Sequence, residues 1–491
     1  MNKRYAVVGA GLSGLAVAHQ LTRSSPGSTV KVFEANERAG GVIHTEVVET
    51  SEGRFVLDHG ADMFAVDPPA AIELCEELGV ENELIVPESE RAGAMIVHRG
   101  GLVPIPDGFV LMRATKLGQM VTTPLLSVGG KLRFLAERFV PSLPQHTSDR
   151  RNEDLKSIDD VSVGDFVRHR MGQETLERLV GPLVAGIYTA DVDRLSLHAT
   201  MGPIVSMVRK HGSLTSATLA RRKGGQDETE RGSAGARYGK FRGFKNGMKQ
   251  LIDRLVDSIG DDALHLNSPV TGLRFHSQAN EWCLQRSTGD ESFDEVILTT
   301  PPSATARLLE SISGLCDHED AVRDAASNLR AIESASTAIV ILCVRKSKIH
   351  SLPNKFGFVV PMIEKRRILA VSFASHKYAC RCPEDHTIIR VFVGGAMQPE
   401  LLQHSDDELV RLVRDELKDL IGLEGPETLA RVVRWNEAMP QYNVGHLQLA
   451  AKIEQCFNDL PHLHLATNAL HGVGIAPVIA NARRVAGSLS C

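Results

Sequence analysis

Three glycines near the start of the chain have the spacing of a dinucleotide-binding turn. Gly9, Gly11 and Gly14 lie between a short apolar strand and a helix, and Glu34 ends the next strand 20 residues after the third glycine. Gly9 permits the tight turn, Gly11 lets the backbone approach a pyrophosphate, and Gly14 allows close packing of helix on strand. The helix N-terminus offers free N–H groups to phosphates, and the acid favours a ribose diol, accepting both hydroxyls. The residues between the glycines belong to the same predicted site: Ala10, Leu12 and Ser13.

A second glycine-rich segment helps to choose between FAD and NAD. Arg38 follows Glu34 by four residues and precedes the pair Gly40 and Gly41, with Val42 next. FAD extends further than the adenosine half of NAD, and a turn without side chains lets N–H groups meet its diphosphate and ribityl chain. An ordinary Gly-Gly turn is the alternative interpretation. We favour non-covalently bound FAD, with all four residues in its site.

The other end of the chain carries a matching element. Residues 463–468 (LHLATN) are predicted to form a strand, and a last helix has apolar residues at helical spacing. The Gly-rich segment before that helix can bring N–H groups to the flavin pyrimidine oxygen, where the helix dipole favours reduced, anionic flavin. The FAD site is then built from both ends of a discontinuous domain. This part of the predicted site comprises Gly472, Val473, Gly474, Ile475 and Ala476.

The composition is that of a globular protein. The 491 residues are 43% hydrophobic and 23% charged, and the net charge of −5 gives no basic field for nucleic acid. No apolar run approaches the roughly 18 residues that span a bilayer, and the first residues lack a signal-peptide pattern. We therefore expect a cytoplasmic protein.

Four potential metal ligands lie close together, but their spacing does not favour a metal. His376, Cys380, Cys382 and His386 fall within 11 residues, whereas the eight cysteines are otherwise scattered. A one-residue gap in an extended chain directs two thiols to opposite faces, and zinc sites normally have wider gaps. We expect no metal site, and a polar loop before a strand at 388–393.

Several further segments together resemble the oxygen-dependent protoporphyrinogen/coproporphyrinogen oxidase family, within the flavin monoamine oxidase-like superfamily. The resemblance covers nearly the whole chain, although the acid-Cys pair usual after the last segment is replaced by residues 476–478 (APV). The segments that carry the resemblance are 104–108 (PIPDG), 181–188 (GPLVAGIY), 195–197 (LSL), 357–361 (GFVVP), 390–395 (RVFVGG), 439–446 (MPQYNVGH) and 472–475 (GVGI).

The resemblance implies an α/β fold with an α+β substrate part. We expect a discontinuous Rossmann-like FAD-binding domain, a mixed-sheet substrate domain and an inserted helical domain that touches the membrane in some relatives. The expected bounds are 1–75 with 240–310 and 455–491 for FAD binding, 76–100 with 311–454 for substrate binding, 101–220 for the helical domain, and 221–237 for a flexible loop.

The resemblance also implies a reaction: the six-electron oxidation of a porphyrinogen to the porphyrin with O2, releasing H2O2, late in haem biosynthesis. Hydride loss beside a pyrrole gives a delocalised cation and flavin N5 accepts the hydride, so no catalytic side chain is required. The residues that the resemblance places at the macrocycle are Gly186, Ile187, Val359, Phe392 and Asn468, and it adds Gly60, Ala61, Asp62 and Val270 to the FAD site. For the apolar ones, a plain core role is the alternative.

The sequence departs from mitochondrial relatives at one substrate position. Those relatives have an arginine for a substrate propionate on the strand before the Gly100-Gly101 turn, where this chain has 93–96 (GAMI). Propionates must then be held elsewhere, for example by Arg99, Arg113 or Lys116. Coproporphyrinogen III, with four propionates, and protoporphyrinogen IX, with two, both remain open.

Two alternatives and several partners also stay open. A flavin amine oxidase would favour an aromatic pair at the flavin, and residues 469–471 (ALH) offer none. A non-catalytic flavin-fold protein at the inner face of the membrane is suggested by the acid-free segment 108–136, whose cations equally suit a carboxylate-rich substrate entrance or a solvated face. A homodimer and hand-over to a ferrochelatase are further hypotheses.

Overall fold

The computed structural model of the chain describes residues 3–110, 112–141, 160–223 and 240–489. Its strands are β1 (Arg4–Val8), β2 (Thr29–Phe33), β3 (Thr45–Thr50), β4 (Gly53–Asp58), β5 (Phe64–Ala65), β6 (Leu84–Ile85), β7 (Met95–His98), β8 (Gly101–Pro104), β9 (Phe109–Val110), β10 (Arg113–Ala114), β11 (Phe241–Phe244), β12 (Leu264–His265), β13 (Val270–His276), β14 (Glu281–Arg286), β15 (Glu291–Phe293), β16 (Glu295–Leu298), β17 (Ser334–Arg345), β18 (Gly357–Val359), β19 (Ala370–Phe373), β20 (His386–Gly394), β21 (Leu429–Pro440) and β22 (Leu463–Leu465).

The α-helices of the described residues alternate with these strands or insert between them. They are α1 (Leu12–Ser24), α2 (Ala70–Glu77), α3 (Leu117–Thr122), α4 (Val128–Leu135), α5 (Val163–Met171), α6 (Gln173–Thr175), α7 (Gly181–Tyr188), α8 (Leu197–His211), α9 (Leu214–Lys223), α10 (Lys249–Ile259), α11 (Pro302–Glu310), α12 (Glu319–Arg330), α13 (Ala374–Lys377), α14 (Asp406–Ile421), α15 (His446–Asn458) and α16 (Ile475–Leu489).

A five-stranded parallel sheet joins the two ends of the chain. Its order is β12-β2-β1-β16-β22, and every neighbouring pair is parallel. One face packs against α1, α10 and α16, and the other against α11, α12 and α15. Because both faces are covered, the central strands are apolar throughout rather than alternating, and the last four residues of β1 are buried. The β-α-β unit and the last helix predicted from the sequence are confirmed.

A seven-stranded mixed sheet forms the second layer, in the order β21-β17-β20-β19-β18-β7-β8. The pair β18 and β7 is parallel, and the other pairs are antiparallel. One face is covered by α14, whose predicted capping box of Ser405 and Glu408 is present and whose end is the left-handed Gly422. The opposite face packs against the β3–β4 hairpin. The predicted combination of a Rossmann-like sheet and a mixed substrate sheet is therefore confirmed.

The helices between β10 and β11 enclose a separate apolar cluster. It includes residues of α3, α4, α5, α7 and α8, and Tyr442 of a distant segment joins it. Arg170 and Glu137 form an ion pair inside it, with 3.1 Å between Nε and Oε1. Within the described residues, no helix is both long enough and apolar enough to cross a membrane.

Two local expectations differ from the structure. The segment expected to be a polar loop before β20 contains α13 and buries His376, Arg381 and His386 to 3% exposure or less, so that prediction is wrong. The predicted loop 221–237 overlaps α9 in its first three residues, and residues 224–237 lie outside the described residues.

The potential metal ligands are used in separate contacts. His376 bonds through Nδ1 to the carbonyl of Lys355 at 2.9 Å, and His386 lies 2.6 Å from a Glu52 oxygen. Among the described residues, no group of three or more His, Cys, Asp or Glu side chains is arranged to hold a metal ion.

Candidate active site

The first glycine turn has one crowded and one open position. Gly9 adopts a φ of +107°, and a Cβ on Gly14 would lie 1.9 Å from the Gly9 carbonyl oxygen. A Cβ on Gly11 would meet no protein atom within 4 Å. Gly14 is therefore needed for packing, whereas Gly11 faces space in which a ligand can approach the backbone. The N–H groups of the first turn of α1 have no intrahelical acceptors and point toward that space.

Glu34 is already engaged by the protein. One carboxylate oxygen accepts from the Ala10 N–H at 2.8 Å, and the other accepts from the backbone N–H and side-chain amide of Asn36 at 3.0 and 2.6 Å. A carboxylate offers about four lone-pair sites, so about one remains for a ribose hydroxyl rather than the two expected. The backbone of Glu34 also bonds to Ser268, which places the start of β13, with Val270, at this end of the site.

The second glycine segment extends the turn into a wall of bare backbone. The Gly40 N–H donates to the Ala10 carbonyl at 2.8 Å, and a Cβ on Gly41 would lie 3.4 Å from the Gly11 Cα. A Cβ on Gly60 would lie 2.0 Å from the Val42 carbonyl oxygen. We call Gly11, Gly41 and Gly60 the glycine wall. The Arg38 guanidinium folds back onto it, donating to the Gly41 carbonyl at 2.9 Å.

The tail loop, residues 468–474, lies between β22 and α16 and is held by Tyr442. The Tyr442 hydroxyl accepts from the Gly472 N–H at 2.7 Å and donates to the Asn468 carbonyl at 2.5 Å. Val473 packs against the helical cluster, and Ile475 and Ala476 begin α16. The side chain of Ser13 connects α1 with β22 through the Ala466 carbonyl at 2.6 Å. The tail loop is thus held by the segment of Tyr442 and by the helical cluster.

A stacked pair of rings supports the tail loop from below. The rings of Tyr442 and His446 have centroids 3.8 Å apart and an interplanar angle of 11°. His446 Nε2 lies 3.3 Å from the Leu470 carbonyl, which can only accept, so Nε2 carries the proton. Burial lowers the pKa of His446 and raises that of the Tyr442 hydroxyl. Both rings are therefore neutral at physiological pH.

The predicted substrate residues Val359 and Phe392 share one face of the seven-stranded sheet. They belong to a row of six cross-strand partners, which we call the apolar row: Ile96, Val359, Ala370, Phe392, Ile339 and Val433. Ala370 stands between the two half-buried side chains, which are two strand spacings, or about 10 Å, apart. The small side chain of Ala370 therefore lies between two larger ones on this face.

The other predicted substrate residues border this row to different extents. A Cβ on Gly186 would lie 3.2 Å from Val359 Cγ1, so the helix α7 approaches the row closely there. Ile187 is 47% exposed, and Asn468 lies in the tail loop. Of the three suggested propionate ligands, Arg113 is buried, Lys116 packs beside Gly108, and Arg99 bonds through its backbone to Glu364.

Asp62 belongs to a buried ionic group rather than to an open surface. Its carboxylate lies 2.7 Å from Lys377 Nζ and 3.0 Å from Arg390 Nη1. Burial opposes ionisation, but the two cations hold the pKa of Asp62 well below its usual range. Arg390 also donates to the Gly60 carbonyl. The segment 60–62 is thereby fastened to the seven-stranded sheet.

Sequence reasoning missed two roles at this site. The sequence shows Arg390 only as part of a family motif. A cation within the apolar run 388–393 nevertheless indicates a buried partner of opposite charge. Alternation in a strand also places Arg390 on the face of Phe392. Tyr442 was likewise part of a motif without an assigned contact, and its partners in the tail loop are 26 and 30 residues away.

The residues present fit an elongated dinucleotide. The open position at Gly11 and the acceptor at Glu34 lie at the parallel sheet, and Gly60 of the glycine wall is hydrogen-bonded by Arg390 of the seven-stranded sheet. The family model described as flavin containing amine oxidoreductase matches residues 12–489 of the chain.

Similar proteins are found across the whole length. Coproporphyrinogen III oxidase of Propionibacterium freudenreichii subsp. freudenreichii is 32% identical, with 98% of this chain and 89% of that protein covered. Protoporphyrinogen oxidase 2, chloroplastic/mitochondrial, of Arabidopsis thaliana is 28% identical, with 99% and 93% covered.

Solved structures show the same fold. A protein of Exiguobacterium sp. 255-15, provisionally assigned as a protoporphyrinogen oxidase, has a TM-score of 0.82 at 27% identity, with 100% of this chain and 99% of that chain covered. Cyclohexylamine oxidase of Brevibacterium oxydans IH-35A has a TM-score of 0.68 at 17% identity, covering 100% and 99%, and this likeness concerns the fold alone. The chain is a flavin-dependent oxidoreductase and belongs to the flavin containing amine oxidoreductase family.

Proposed function

We propose that this protein oxidises a porphyrinogen to the porphyrin, with FAD as cofactor and O2 as electron acceptor. The observation that carries the proposal is the apolar row, in which the half-buried Val359 and Phe392 flank Ala370, and Gly186 of α7 lies next to Val359. An apolar surface of this kind suits a tetrapyrrole macrocycle. The relatives described above are named as a coproporphyrinogen III oxidase and a protoporphyrinogen oxidase.

The protein residues bind and orient rather than react. Bound flavin supplies a hydride acceptor and passes the electrons to O2. The glycine wall and Glu34 would hold the cofactor, while Val359 and Phe392 would contact one face of the macrocycle and Gly186 would leave space for it. Positioning of this type contributes to the rate by pre-organising the reacting groups.

The proposed site residues include positions whose contacts with a ligand remain a prediction. For the cofactor these are Gly9, Ala10, Gly11, Leu12, Ser13, Gly14, Glu34, Arg38, Gly40, Gly41, Val42, Gly60, Ala61, Asp62, Val270, Gly472, Val473, Gly474, Ile475 and Ala476; for the substrate they are Gly186, Ile187, Val359, Phe392 and Asn468.

A direct assay tests the proposal. Purified FAD-loaded protein is mixed with coproporphyrinogen III or protoporphyrinogen IX, and porphyrin fluorescence and H2O2 are followed together. We expect one H2O2 for every two electrons removed, with one of the two porphyrinogens preferred. Fluorescence that grows no faster than the autoxidation blank for both substrates would contradict the proposal. An amine oxidase activity would appear in the same coupled H2O2 assay with amines.

We also propose that the helical region contacts an anionic membrane surface. Val128, Leu132, Leu135 and Phe139 follow one another at helical spacing and are 75%, 65%, 37% and 82% exposed. Lys131 lies on the same helix, and Arg138 precedes Phe139 and is exposed. An exposed apolar stripe with adjacent cations is typical of helices that lie at an anionic lipid interface.

Vesicle sedimentation tests the membrane proposal. We expect the protein to sediment with phosphatidylglycerol vesicles more than with phosphatidylcholine vesicles, and the double variant L132E/F139E to stay in the supernatant. V86E is the matched control because Val86 is 53% exposed and lies outside the stripe. Equal sedimentation of the double variant and the unchanged protein would refute this contact.

Two further partners are proposed without a contact surface. We infer a homodimer, which light scattering of the FAD-loaded protein would detect, and a hand-over of the porphyrin to a ferrochelatase. A hand-over predicts that metal insertion by added ferrochelatase proceeds faster from product made in place than from free porphyrin at equal concentration.

A further inference from the structure

Five charged side chains are buried together between the β3–β4 hairpin, the segment 60–62 and the seven-stranded sheet. We call them the buried charge group: Asp58, Asp62, Lys377, Arg381 and Arg390. Each is at most 7% exposed. Asp62 forms ion pairs with Lys377 and Arg390. Asp58 forms an ion pair with Arg381, with 3.0 Å between Oδ2 and Nη2. Three cations against two carboxylates leave the group with a surplus of one positive charge.

The two carboxylates cannot neutralise all three cations, because each carries one negative charge. One Asp62 oxygen, Oδ2, serves both Lys377 and Arg390. The Oδ1 of Asp58 already accepts from the Thr45 hydroxyl at 2.6 Å and from the Met248 N–H at 2.9 Å. Within the described residues, Arg390 Nε and Arg381 Nη1 are buried without a hydrogen-bond acceptor, and Arg381 Nη2 lies 3.0 Å from Asp58 Oδ2 without forming a well-aligned hydrogen bond.

Neighbouring charged groups do not cancel the surplus. Glu46 lies on the same hairpin as Asp58, but it is paired with Arg431 at 3.0 Å and contacts His59 at 3.1 Å. Burial lowers the pKa of His59, which favours its neutral form. The Glu46 and Arg431 pair is therefore neutral as a whole, and the extra positive charge stays with the buried charge group.

The surplus lies at the point where the glycine wall meets the apolar row. Arg390 donates to the carbonyl of Gly60, the last member of the wall. It also precedes Phe392 by two residues on β20, so the two side chains share a face of the sheet, and the Arg390 Cζ lies 5.6 Å from the centroid of the Phe392 ring. A cofactor held along the glycine wall would approach this charge at Gly60.

We propose that the surplus charge of the buried charge group, carried by Arg390, stabilises the reduced flavin and raises its reduction potential. Hydride transfer would add two electrons and one proton to a neutral ring, so the reduced ring would carry one negative charge unless it took up a further proton from water. A fixed cation favours that state over the neutral oxidised state. This role rests on flavin binding and not on the identity of the substrate.

Charge variants at two positions give opposite expectations. R390M removes the surplus, and D62N increases it. A unit charge about 10 Å away, at an effective dielectric constant of about 20, changes an equilibrium constant roughly tenfold. For a two-electron couple, tenfold corresponds to about 30 mV. We therefore expect the midpoint potential to fall by about 30 mV in R390M and to rise by a similar amount in D62N.

The readouts do not need a porphyrinogen. The midpoint potential is measured by equilibration with reference dyes, and sulfite affinity of the bound flavin is measured by bleaching of its visible band. Sulfite also adds negative charge to the flavin, so its affinity should fall about tenfold in R390M. R390K keeps the charge and should stay close to the unchanged protein. R194M is the matched control, since the Arg194 and Glu333 pair is exposed.

The outcomes decide between a charge effect and a packing effect. A lower potential in R390M with an unchanged potential in R390K and R194M supports the proposal. An unchanged potential in R390M, or an equal loss in R390K and R390M, overturns it. If R390M does not fold, D62N and R390K remain decisive, because a D62N potential at or below that of the unchanged protein contradicts the proposed sign.

Discussion

Removal of the Tyr442 hydroxyl is expected to weaken FAD binding while leaving the fold intact. Y442F keeps the ring that stacks on His446 but deletes the hydrogen bonds to the Gly472 N–H and the Asn468 carbonyl. A buried polar group left without a partner costs about 1–3 kcal/mol. Because Gly472 and Asn468 are only half-buried, water can replace part of each bond, and we expect a total of about 2 kcal/mol.

This free energy should appear mainly in cofactor affinity. The tail loop must be ordered for its N–H groups to meet the flavin, and a loop that has lost its anchor has to be ordered during binding. A loss of about 2 kcal/mol corresponds to roughly 30-fold in Kd. Titration of the apoprotein with FAD, followed by quenching of flavin fluorescence, measures this change directly.

A matched tyrosine controls for the loss of a buried hydroxyl. The Tyr378 hydroxyl is buried and has no hydrogen-bond partner within the described residues. Y378F should therefore bind FAD as tightly as the unchanged protein and melt at the same temperature or higher. If Y442F binds FAD within twofold of the unchanged protein, the tail loop does not depend on this hydroxyl and the reasoning fails.

Three further predictions concern the glycine turn, the apolar row and acid stability. G11A should keep the melting temperature of the apoprotein but lose FAD affinity, whereas G14A should lose both, because only the second Cβ meets backbone, at 1.9 Å; an unstable G11A apoprotein would contradict this. A370F should place a large ring between Val359 and Phe392 and raise the KM for porphyrinogen at least tenfold with an unchanged flavin spectrum, and steady-state kinetics that show an equal KM would refute the proposed substrate face. Glu295 is buried, which opposes ionisation, but His464 and Lys3 lower its pKa to about 2. The ionised Glu295 therefore stabilises the folded protein above about pH 4.5, and this contribution is lost as the pH falls toward 2. E295Q should cost on the order of 2 kcal/mol at pH 6 and nothing near pH 2, measured by urea unfolding, and a pH-independent difference would count against this interpretation.

Local patterns predicted the parts of the fold whose causes are local. The glycine turn, the strand before it and the acid after it lie within 34 residues, and the capping box of α14 spans four. Each depends on backbone freedom or on a nearby hydrogen bond, which neighbouring residues already encode.

The contacts that sequence reasoning missed join distant parts of the chain. Lys377 and Arg381 are polar residues in a segment that looks like a loop, yet they become buried because Asp62 and Asp58 lie opposite them. More than 300 residues separate each pair. Burial of a charge depends on its partner, and a single sequence does not show which partner is brought near.

Glu34 illustrates a different limit. Its position at the end of β2 was predictable, but its three bonds to Ala10 and Asn36 depend on the conformation of two turns. The sequence therefore indicated the right side chain, while its remaining capacity for a ligand required the structure.

The position of β1 in the parallel sheet has a consequence for biosynthesis. One edge of β1 pairs with β2 immediately, but its other edge pairs with β16, which is almost 290 residues further along the chain. During translation the apolar strand β1 therefore exposes an unpaired edge for a long period, and such edges promote aggregation. Fragments that end before residue 295 should depend on chaperones, and co-production with the missing segment should restore their yield.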